Sequence, residues 1–356
     1  MSQVNLHVLA IAAATIFCLS GSLFAVSVAV GPASCQPGLV HFSTIQAAVT
    51  AVPPGANVLL CPGSYPEQIH ITQSITLRGV TVGNSGQAVI VPPPGGLTTN
   101  ASDEFGSALA LQVWVDNASG GPVNISNLIV DGTGNGVTVC QPVITGMFYE
   151  NSAGTVNHVA FRNQSGNNCG EAFLAEGGST SPTVTISDSN IHNTDYGIFS
   201  QNQVTLIAKA NNVDVSSAAN GVAITLNDGS TNTVSGNVIV TSFWGISPVR
   251  SATGSVSSNT VTGGFYGIIT SSDGVSITAN KVFNSTGAGI YLTTPTVSIR
   301  NNDIAHANVG IEFNCVANPN VIQNTINEAQ TGLDQVPIGL AVTNTFFNAL
   351  SQRVGC

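Results

Sequence analysis

A short pattern recurs through the second half of the chain at almost constant spacing. Each copy has a small or aliphatic residue, a polar residue three positions later and an aliphatic residue two positions further on, as in residues 256–261. The polar position recurs about every 22 residues, a period typical of repeat architectures, and a Gly followed by an aliphatic residue comes shortly after it. The polar position is held by Ser189, Asn211, Asn237, Asn259, Asn280, Asn302 and Asn324.

This period predicts a solenoid of short strands. Each repeat holds about three strand-sized pieces separated by turn residues. One repeat cannot bury its own apolar face, but stacked repeats bury a continuous core and pair with their equivalents above and below. The recurring Asn would then form a ladder of amides that satisfies buried turn backbone, and the recurring Gly would permit a turn that a Cβ forbids. A propeller would repeat at about 40 residues and a leucine-rich solenoid would show Leu periodicity, so both are excluded.

The repeats resemble those of the right-handed parallel β-helix proteins of the pectin-lyase-like superfamily, from residue 38 to about 350. The resemblance implies an all-β fold, a right-handed parallel β-helix of about 22 residues per rung with a short N-terminal capping helix. Ser43 and Gln46 form a capping-box pattern that would start this helix. Residues 63–67 are similar to the N-terminal part of pectin methylesterases, where the stretch marks the fold and holds no catalytic residue, so Tyr65 and Glu67 are read as structural.

The N-terminus predicts export. Residues 8–30 form an uncharged apolar run that ends near Ser27-Val28-Ala29, a small-x-small pattern typical of signal cleavage. We predict a signal peptide at 1–29 and one β-helix domain at 30–356, in a secreted, periplasmic or cell-surface protein. Within the domain we expect a cap at 38–60, a Pro/Gly-rich loop at about 81–122 and regular rungs at about 123–350. The apolar run is also long enough to span a bilayer uncleaved, so an N-terminal anchor is the alternative.

Six cysteines lie outside this leader. An even number in an exported chain indicates disulfides, although six cysteines allow fifteen pairings. The most local pairing is Cys35–Cys61, Cys140–Cys169 and Cys315–Cys356.

The charge balance excludes several partners. The chain has 7 Lys and Arg against 17 Asp and Glu, a net charge of −10, and a nucleic-acid binder needs clustered basic residues instead. No Cys or His spacing fits a metal site, so we predict no cofactor, and calcium enters only if the protein is a polysaccharide lyase. We expect a monomer with no membrane contact beyond the N-terminal segment.

Candidate catalytic residues come from position alone, because the catalytic motifs of pectin methylesterases, polygalacturonases, pectate lyases and alginate epimerases are absent. The residue after each Gly-aliphatic pair should point outward, since strand side chains alternate. This column predicts that Glu312 and Asp334 are neighbouring carboxylates that could serve as acid and base or nucleophile. Tyr291, one rung away, could stack on a sugar ring. The whole predicted column is Phe199, Ala223, Ser247, Ile269, Tyr291, Glu312 and Asp334.

A second column precedes the glycines and carries Tyr196, Trp244 and Tyr266. Facing outward, these rings would form a platform for sugar rings; facing inward, they would be a stacking ladder of the solenoid. Asp103, Glu104 and Asp116 in the predicted loop are further candidates, because loops frequently carry function.

Two hypotheses follow. In the first, the protein recognises a polysaccharide or serves as a surface scaffold; in the second, it is a polysaccharide lyase, hydrolase or epimerase. The missing motifs favour the first, and carbohydrate as the partner is implied by the resemblance alone.

Overall fold

Strand-forming residues alternate with turn residues along almost all of the described chain, and this pattern builds a parallel β-solenoid. The computed structural model describes residues 25–81, 86–166, 168–316, 319–337 and 343–356. Parallel strands joined by crossovers within one sheet connect with a right hand. One helix is present among the described residues, α1 at Ile45–Ala51.

The strands follow one another in short segments. In the first half they are β1 Ser27–Val30, β2 Val40–Phe42, β3 Ala56–Leu60, β4 Gly63–Pro66, β5 Ile69–Gln73, β6 Ile75–Gly79, β7 Ala88–Val91, β8 Ala101–Ser102, β9 Ala108–Ser119, β10 Val123–Ser126, β11 Leu128–Asp131, β12 Val143–Glu150, β13 Gly154–Asn157, β14 Ala160–Arg162, β15 Gly170–Glu176, β16 Thr183–Ser187, β17 Asn190–His192 and β18 Tyr196–Gln201. In the second half they are β19 Thr205–Lys209, β20 Asn212–Asp214, β21 Val222–Leu226, β22 Thr231–Ser235, β23 Val238–Thr241, β24 Trp244–Pro248, β25 Thr253–Ser257, β26 Thr260–Gly263, β27 Tyr266–Thr270, β28 Val275–Thr278, β29 Lys281–Phe283, β30 Ala288–Leu292, β31 Ser298–Arg300, β32 Asp303–Ala305, β33 Val309–Glu312, β34 Asn320–Asn327, β35 Thr331–Val336, β36 Thr343–Phe347 and β37 Ser351–Gly355.

The strands form two sheets that wall the solenoid. A 24-stranded sheet, sheet A, contributes two stacks of strands, and a 13-stranded sheet, sheet B, contributes the third. Sheet B runs from β5 through β9, β12, β15, β18, β21, β24, β27, β30, β33 and β35 to β37, with β8 antiparallel to β9 at its side. Strands β25, β26 and β27 illustrate one rung of the predicted type.

The core consists of inward columns of aliphatic side chains. Ile239, Val261, Val282, Ile304 and Ile326 pair in register on successive rungs, and each is 0% exposed. Burying a side chain of this size contributes roughly 1.5–3 kcal/mol. The repeated aliphatic positions of the sequence pattern are therefore the positions that hold the stack together.

The predicted asparagine ladder is present. The Asn259 side-chain amide donates to Asn280 Oδ1 at 2.9 Å and to the Val234 carbonyl at 3.0 Å, and the Asn259 backbone N–H donates to the same Asn280 oxygen at 3.0 Å. The ladder extends one rung further than predicted, because Asn344 accepts from Asn324. Each amide satisfies turn backbone that would otherwise be buried and unpaired.

The recurring glycines have a different physical reason from the one expected. They do not adopt positive φ. Instead, a Cβ on Gly267 would lie 2.2 Å from Val282 Cγ1 and 2.8 Å from the Gly289 carbonyl oxygen. Glycine is therefore needed for close packing at this corner of the rung, not for an unusual turn conformation.

The predicted N-terminal capping helix forms, but its N-cap residue differs from the predicted one. Thr44 is the N-cap and accepts from the Ala47 N–H at 3.2 Å, so the predicted Ser43–Gln46 capping box is wrong. The Glu67 carboxylate completes the cap, since it accepts from the backbone N–H groups of Ile45 at 2.8 Å and Gln46 at 2.9 Å. These two hydrogen bonds give Glu67 a structural role at the start of the helix.

Two predicted boundaries change. Residues 1–24 of the predicted leader lie outside the described residues, but Ser27–Val30 forms strand β1, which pairs with β2 and β3 and is largely buried. Because a cut after Ala29 would remove most of β1, we place the start of the folded domain before Ser27. The predicted loop at 81–122 contains strands β7, β8 and β9, and the longest run without a strand among its described residues is 92–100.

The disulfides form as predicted. Cys35 pairs with Cys61, Cys140 with Cys169 and Cys315 with Cys356, at Cα–Cα distances of 6.0, 5.2 and 5.9 Å. Among the residues that the structure describes, no helix has the length and apolarity to cross a membrane.

Candidate functional site

The outer face of sheet B brings the predicted carboxylates together. Strand register places Tyr291 beside Glu312 and Glu312 beside Asp334. Gln335 Nε2 donates to Glu312 Oε1 at 3.0 Å. Burial raises the pKa of Glu312 and the charge of Asp334 raises it further, while the Gln335 hydrogen bond opposes both. A carboxyl group with a raised pKa is suited to the role of proton donor, and a second carboxyl group lies beside it.

Aromatic rings continue this face toward the earlier rungs. We call Phe243, Trp244, Phe265, Tyr266 and Tyr291 the aromatic strip. Tyr266 stacks on Tyr291 with centroids 4.6 Å apart, and Phe243 stacks on Trp244 at 4.8 Å. Phe265 meets Tyr266 edge-on at 4.6 Å and is 43% exposed. Each ring is accessible in part, and Trp244 pairs with Tyr266 on the next rung, so the two ring groups lie on adjacent strands.

The strip and the carboxylate pair form one site. Burial raises the pKa of the Tyr266 and Tyr291 hydroxyls, and the charge of Glu312 adds to both shifts. Glu312 is therefore near both phenols. The structure thus brings together five of the six predicted site residues, and Tyr196 is the exception because it pairs with Glu171 and Val222 on earlier rungs.

One member of the predicted outward column is wrong. Phe199 pairs with Thr225, and Thr225 pairs with Ser247, so Thr225 takes the outward position assigned to Ala223. Ala223 is 0% exposed. The rung that contains it is longer than the later ones, because Asn237 follows Asn211 after 26 residues whereas Asn259 follows Asn237 after 22 residues. The extra residues precede the strand and move its outward position further along the chain.

A second group of side chains on the same face was not found from the repeat. Asp116, Glu150, Glu176 and Gln201 stand in register on β9, β12, β15 and β18. Gln201 Nε2 donates to Glu176 Oε2 at 3.0 Å. Burial raises the pKa of Glu150 and of Glu176. The steps between these positions are all longer than the period of the later rungs, so the repeat does not align them.

Two aromatic groups close this row at its first rungs. His70 stacks on Trp114 with centroids 4.2 Å apart, and His70 Nε2 lies 2.9 Å from Asp116 Oδ2. Trp114 Nε1 donates to Glu150 Oε2 at 2.9 Å. Asp116 was a candidate by its position in the predicted loop, whereas His70 and Glu150 had no sequence pattern that pointed to them. No group of three His, Cys, Asp or Glu among the described residues is arranged to hold a metal ion.

Comparison with known proteins identifies the class of fold. A family model described as a right-handed β-helix region matches residues 208–346. The A-module of the Azotobacter vinelandii mannuronan C-5 epimerase AlgE4 is similar in structure, with a TM-score of 0.55 and 14% identity over 87% of this chain and 92% of that one. The A-module of AlgE6 from the same organism gives 0.53 and 15% over 88% and 94%. No curated protein matches the sequence.

The protein is therefore a right-handed parallel β-helix, as the repeats predicted. At this level of identity the likeness establishes the fold, and function has to be argued from the side chains of this chain.

Proposed function

We propose that the protein is an exported polysaccharide-binding β-helix that holds its ligand along the outer face of sheet B. The observation that carries the proposal is the aromatic strip beside Glu312 and Asp334. Flat rings pack against the apolar faces of pyranose units, and carboxylates accept hydrogen bonds from their hydroxyls. Three disulfides fit an oxidising compartment outside the cytoplasm. The structural neighbours named as mannuronan epimerases support carbohydrate as the ligand class.

The charge of the protein narrows the ligand. A net charge of −10, with Glu312 and Asp334 on the binding face, repels a polyanion unless a cation bridges the two. An uncharged or cationic polysaccharide is therefore favoured over an acidic one.

Catalysis at Glu312 and Asp334 is the second candidate function. It is favoured by their register contact and by the raised pKa of Glu312, which suits a proton donor. The reaction would be that of a lyase, a hydrolase or an epimerase.

Binding is tested with the purified exported protein on a panel of neutral, acidic and basic polysaccharides. Trp244→Ala and Tyr266→Ala should each weaken binding roughly tenfold, since a lost aromatic contact costs on the order of 1–1.5 kcal/mol. Phe347→Ala is the matched control, because Phe347 is 53% exposed on sheet A and away from the strip. Equal affinity of the Trp244, Tyr266 and Phe347 variants would contradict the proposal.

Turnover is tested in the same samples. Release of reducing ends or unsaturated products is recorded with and without calcium. Activity that disappears in Glu312→Gln or Asp334→Asn supports the catalytic candidate, and activity that survives both places catalysis elsewhere.

A further inference from the structure

A tight turn lies over the earlier rungs of sheet B. The Asp103 carboxylate accepts from the backbone N–H groups of Phe105 at 3.0 Å and Ser107 at 2.7 Å, which fixes the turn. The Glu104 N–H donates to Glu176 Oε2 at 3.2 Å and ties the turn to the sheet. We call residues 103–107 the roof turn.

A cavity of about 240 Å³ opens between the roof turn and the sheet. Its apolar lining includes Leu174 and Phe199, which pair in register on neighbouring strands. Its polar lining includes Glu171, Gln201 and Asn227. The cavity thus combines an apolar surface with amide and carboxyl groups, as binding sites for small ligands do.

One buried atom in this lining has no partner. Asn227 is 6% exposed, and its Oδ1 makes no hydrogen bond with any described residue. A buried, unpaired amide oxygen is unfavourable in a folded protein, so its retention calls for an explanation. Because Asn227 lines the cavity, a ligand that donates a hydrogen bond there would satisfy it.

The carboxyl groups around the cavity have raised pKa values. Burial raises the pKa of Glu171 to about 7, and the charge of Asp103 contributes to this shift. Partial burial and the charges of Glu176, Asp228 and Asp103 raise the pKa of Glu104 to about 7. Such shifts arise where carboxyl groups are buried without sufficient opposite charge to stabilise the ionised form.

The basic group at the rim is already engaged. Arg250 lies 3.4 Å from Asp228 and sits over the Phe105 ring at 5.9 Å. Its charge is therefore shared with Asp228, while Asn227 Oδ1, the buried lining atom without a partner, is an acceptor. Such a set selects a ligand rich in donors and positively charged.

We propose that the cavity binds one sugar unit bearing a free ammonium group, with its ring against Phe199 and Leu174 and its donors on Asn227 Oδ1 and Glu171. The cavity lies on the same face as the aromatic strip, and the choice of a sugar rests on the proposed function. The expectation that the ligand is positively charged does not rest on the proposed function, because it follows from the carboxyl groups and the unpaired acceptor around the cavity. A basic aminopolysaccharide could then occupy the strip and present one unit to the cavity.

The test uses the full-length exported protein, titrated calorimetrically at neutral pH and low salt. The ligands are glucosamine, glucose, N-acetylglucosamine and cyclohexylamine. Glucosamine should bind at least about tenfold more tightly than glucose or N-acetylglucosamine, because a charge-assisted hydrogen bond is worth more than about 1.4 kcal/mol. Cyclohexylamine binding as tightly as glucosamine would overturn the sugar assignment, and no preference for glucosamine would overturn the proposal.

Variants locate the binding. Asn227→Ala and Glu171→Gln should each weaken glucosamine binding about tenfold, and both should keep the fold, since the first removes an acceptor with no partner and the second preserves shape. Asp303→Asn is the matched control for charge, because Asp303 lies on β32 of sheet A, and it should leave binding unchanged. Trp244→Ala separates the two proposals: loss of polysaccharide binding with retained glucosamine binding supports both. Retained polysaccharide binding without any glucosamine binding overturns the cavity alone.

Discussion

The asparagine ladder gives a quantitative prediction for stability. Replacing Asn259 by Ala removes four hydrogen bonds at one stroke. Two are donated by its amide, to Val234 and Asn280, and two are accepted by its Oδ1 from the backbone and side-chain amides of Asn237. The substitution also leaves these partners buried, because Asn237 and Asn280 are 0% exposed.

The expected loss is about 4 kcal/mol, taking about 1 kcal/mol per hydrogen bond within a range of roughly 2–6 kcal/mol. It is measured as the free energy of unfolding in guanidinium titrations followed by circular dichroism. Asn212→Ala is the control, because Asn212 is exposed and follows ladder residue Asn211 directly. This control should change stability by less than about 0.5 kcal/mol.

A third variant separates hydrogen bonding from volume. Asn259→Asp keeps the shape of the side chain but cannot donate to the Val234 carbonyl, and at neutral pH it buries a charge beside Asn280. It should be at least as unstable as Asn259→Ala and should recover in part at low pH, where the carboxyl is protonated. If Asn259→Ala were no less stable than Asn212→Ala, the ladder would not stabilise the solenoid.

Two further predictions concern packing and pH. Gly267→Ala should lower the free energy of unfolding by roughly 1–3 kcal/mol, since its Cβ would overlap Val282 and the Gly289 carbonyl. Gly86→Ala is the control and should not lower it, because its Cβ enters open space. Equal denaturation midpoints for the two variants would refute the close-packing account. Because the pKa of Glu171 is raised to about 7, ionisation of its carboxyl is less favourable in the folded state than in the unfolded state. The free energy of unfolding should therefore be highest below about pH 4.5 and should fall by up to roughly 3 kcal/mol as the pH rises toward 7. A melting-temperature profile over this window should flatten in Glu171→Gln, and an unchanged profile would show that Glu171 does not cause the loss.

The sequence repeat predicted the structure correctly where its period is constant. From Asn237 to Asn324 each step is 21 or 22 residues, and there the ladder, the inward columns and the contact of Glu312 with Asp334 all follow from strand alternation. The prediction failed at Ala223, where a longer rung moved the outward position of the strand. A solenoid fixes register by stacking, so an insertion in one turn moves every outward position assigned from the sequence in that rung.

The first rungs show why their side chains could not be assigned in advance. Glu150 and Glu176 become neighbours only because β12 and β15 stack in register across a long step that includes Cys169. The role of Asn227 could not be predicted from the sequence either, for a different reason. An Asn in a turn usually bonds its own backbone, and only burial beside a cavity reveals that Asn227 Oδ1 does not.

The distribution of charge bears on both the proposed polysaccharide-binding face and the proposed cavity. Charged residues make up 7% of the chain, yet nine of its 17 acidic residues lie on or at the edge of the outer face of sheet B. They are Asp103, Glu104, Asp116, Glu150, Glu171, Glu176, Asp228, Glu312 and Asp334. Like charges on adjacent rungs oppose the stacking that holds a solenoid together. Burial is the main cause of the raised pKa values of Glu150, Glu176 and Glu312, and neighbouring carboxylates add to each of them. A donor-rich or cationic polymer lying along this face would relieve the repulsion at every rung it covers, so its binding should stabilise the fold as well as occupy the site.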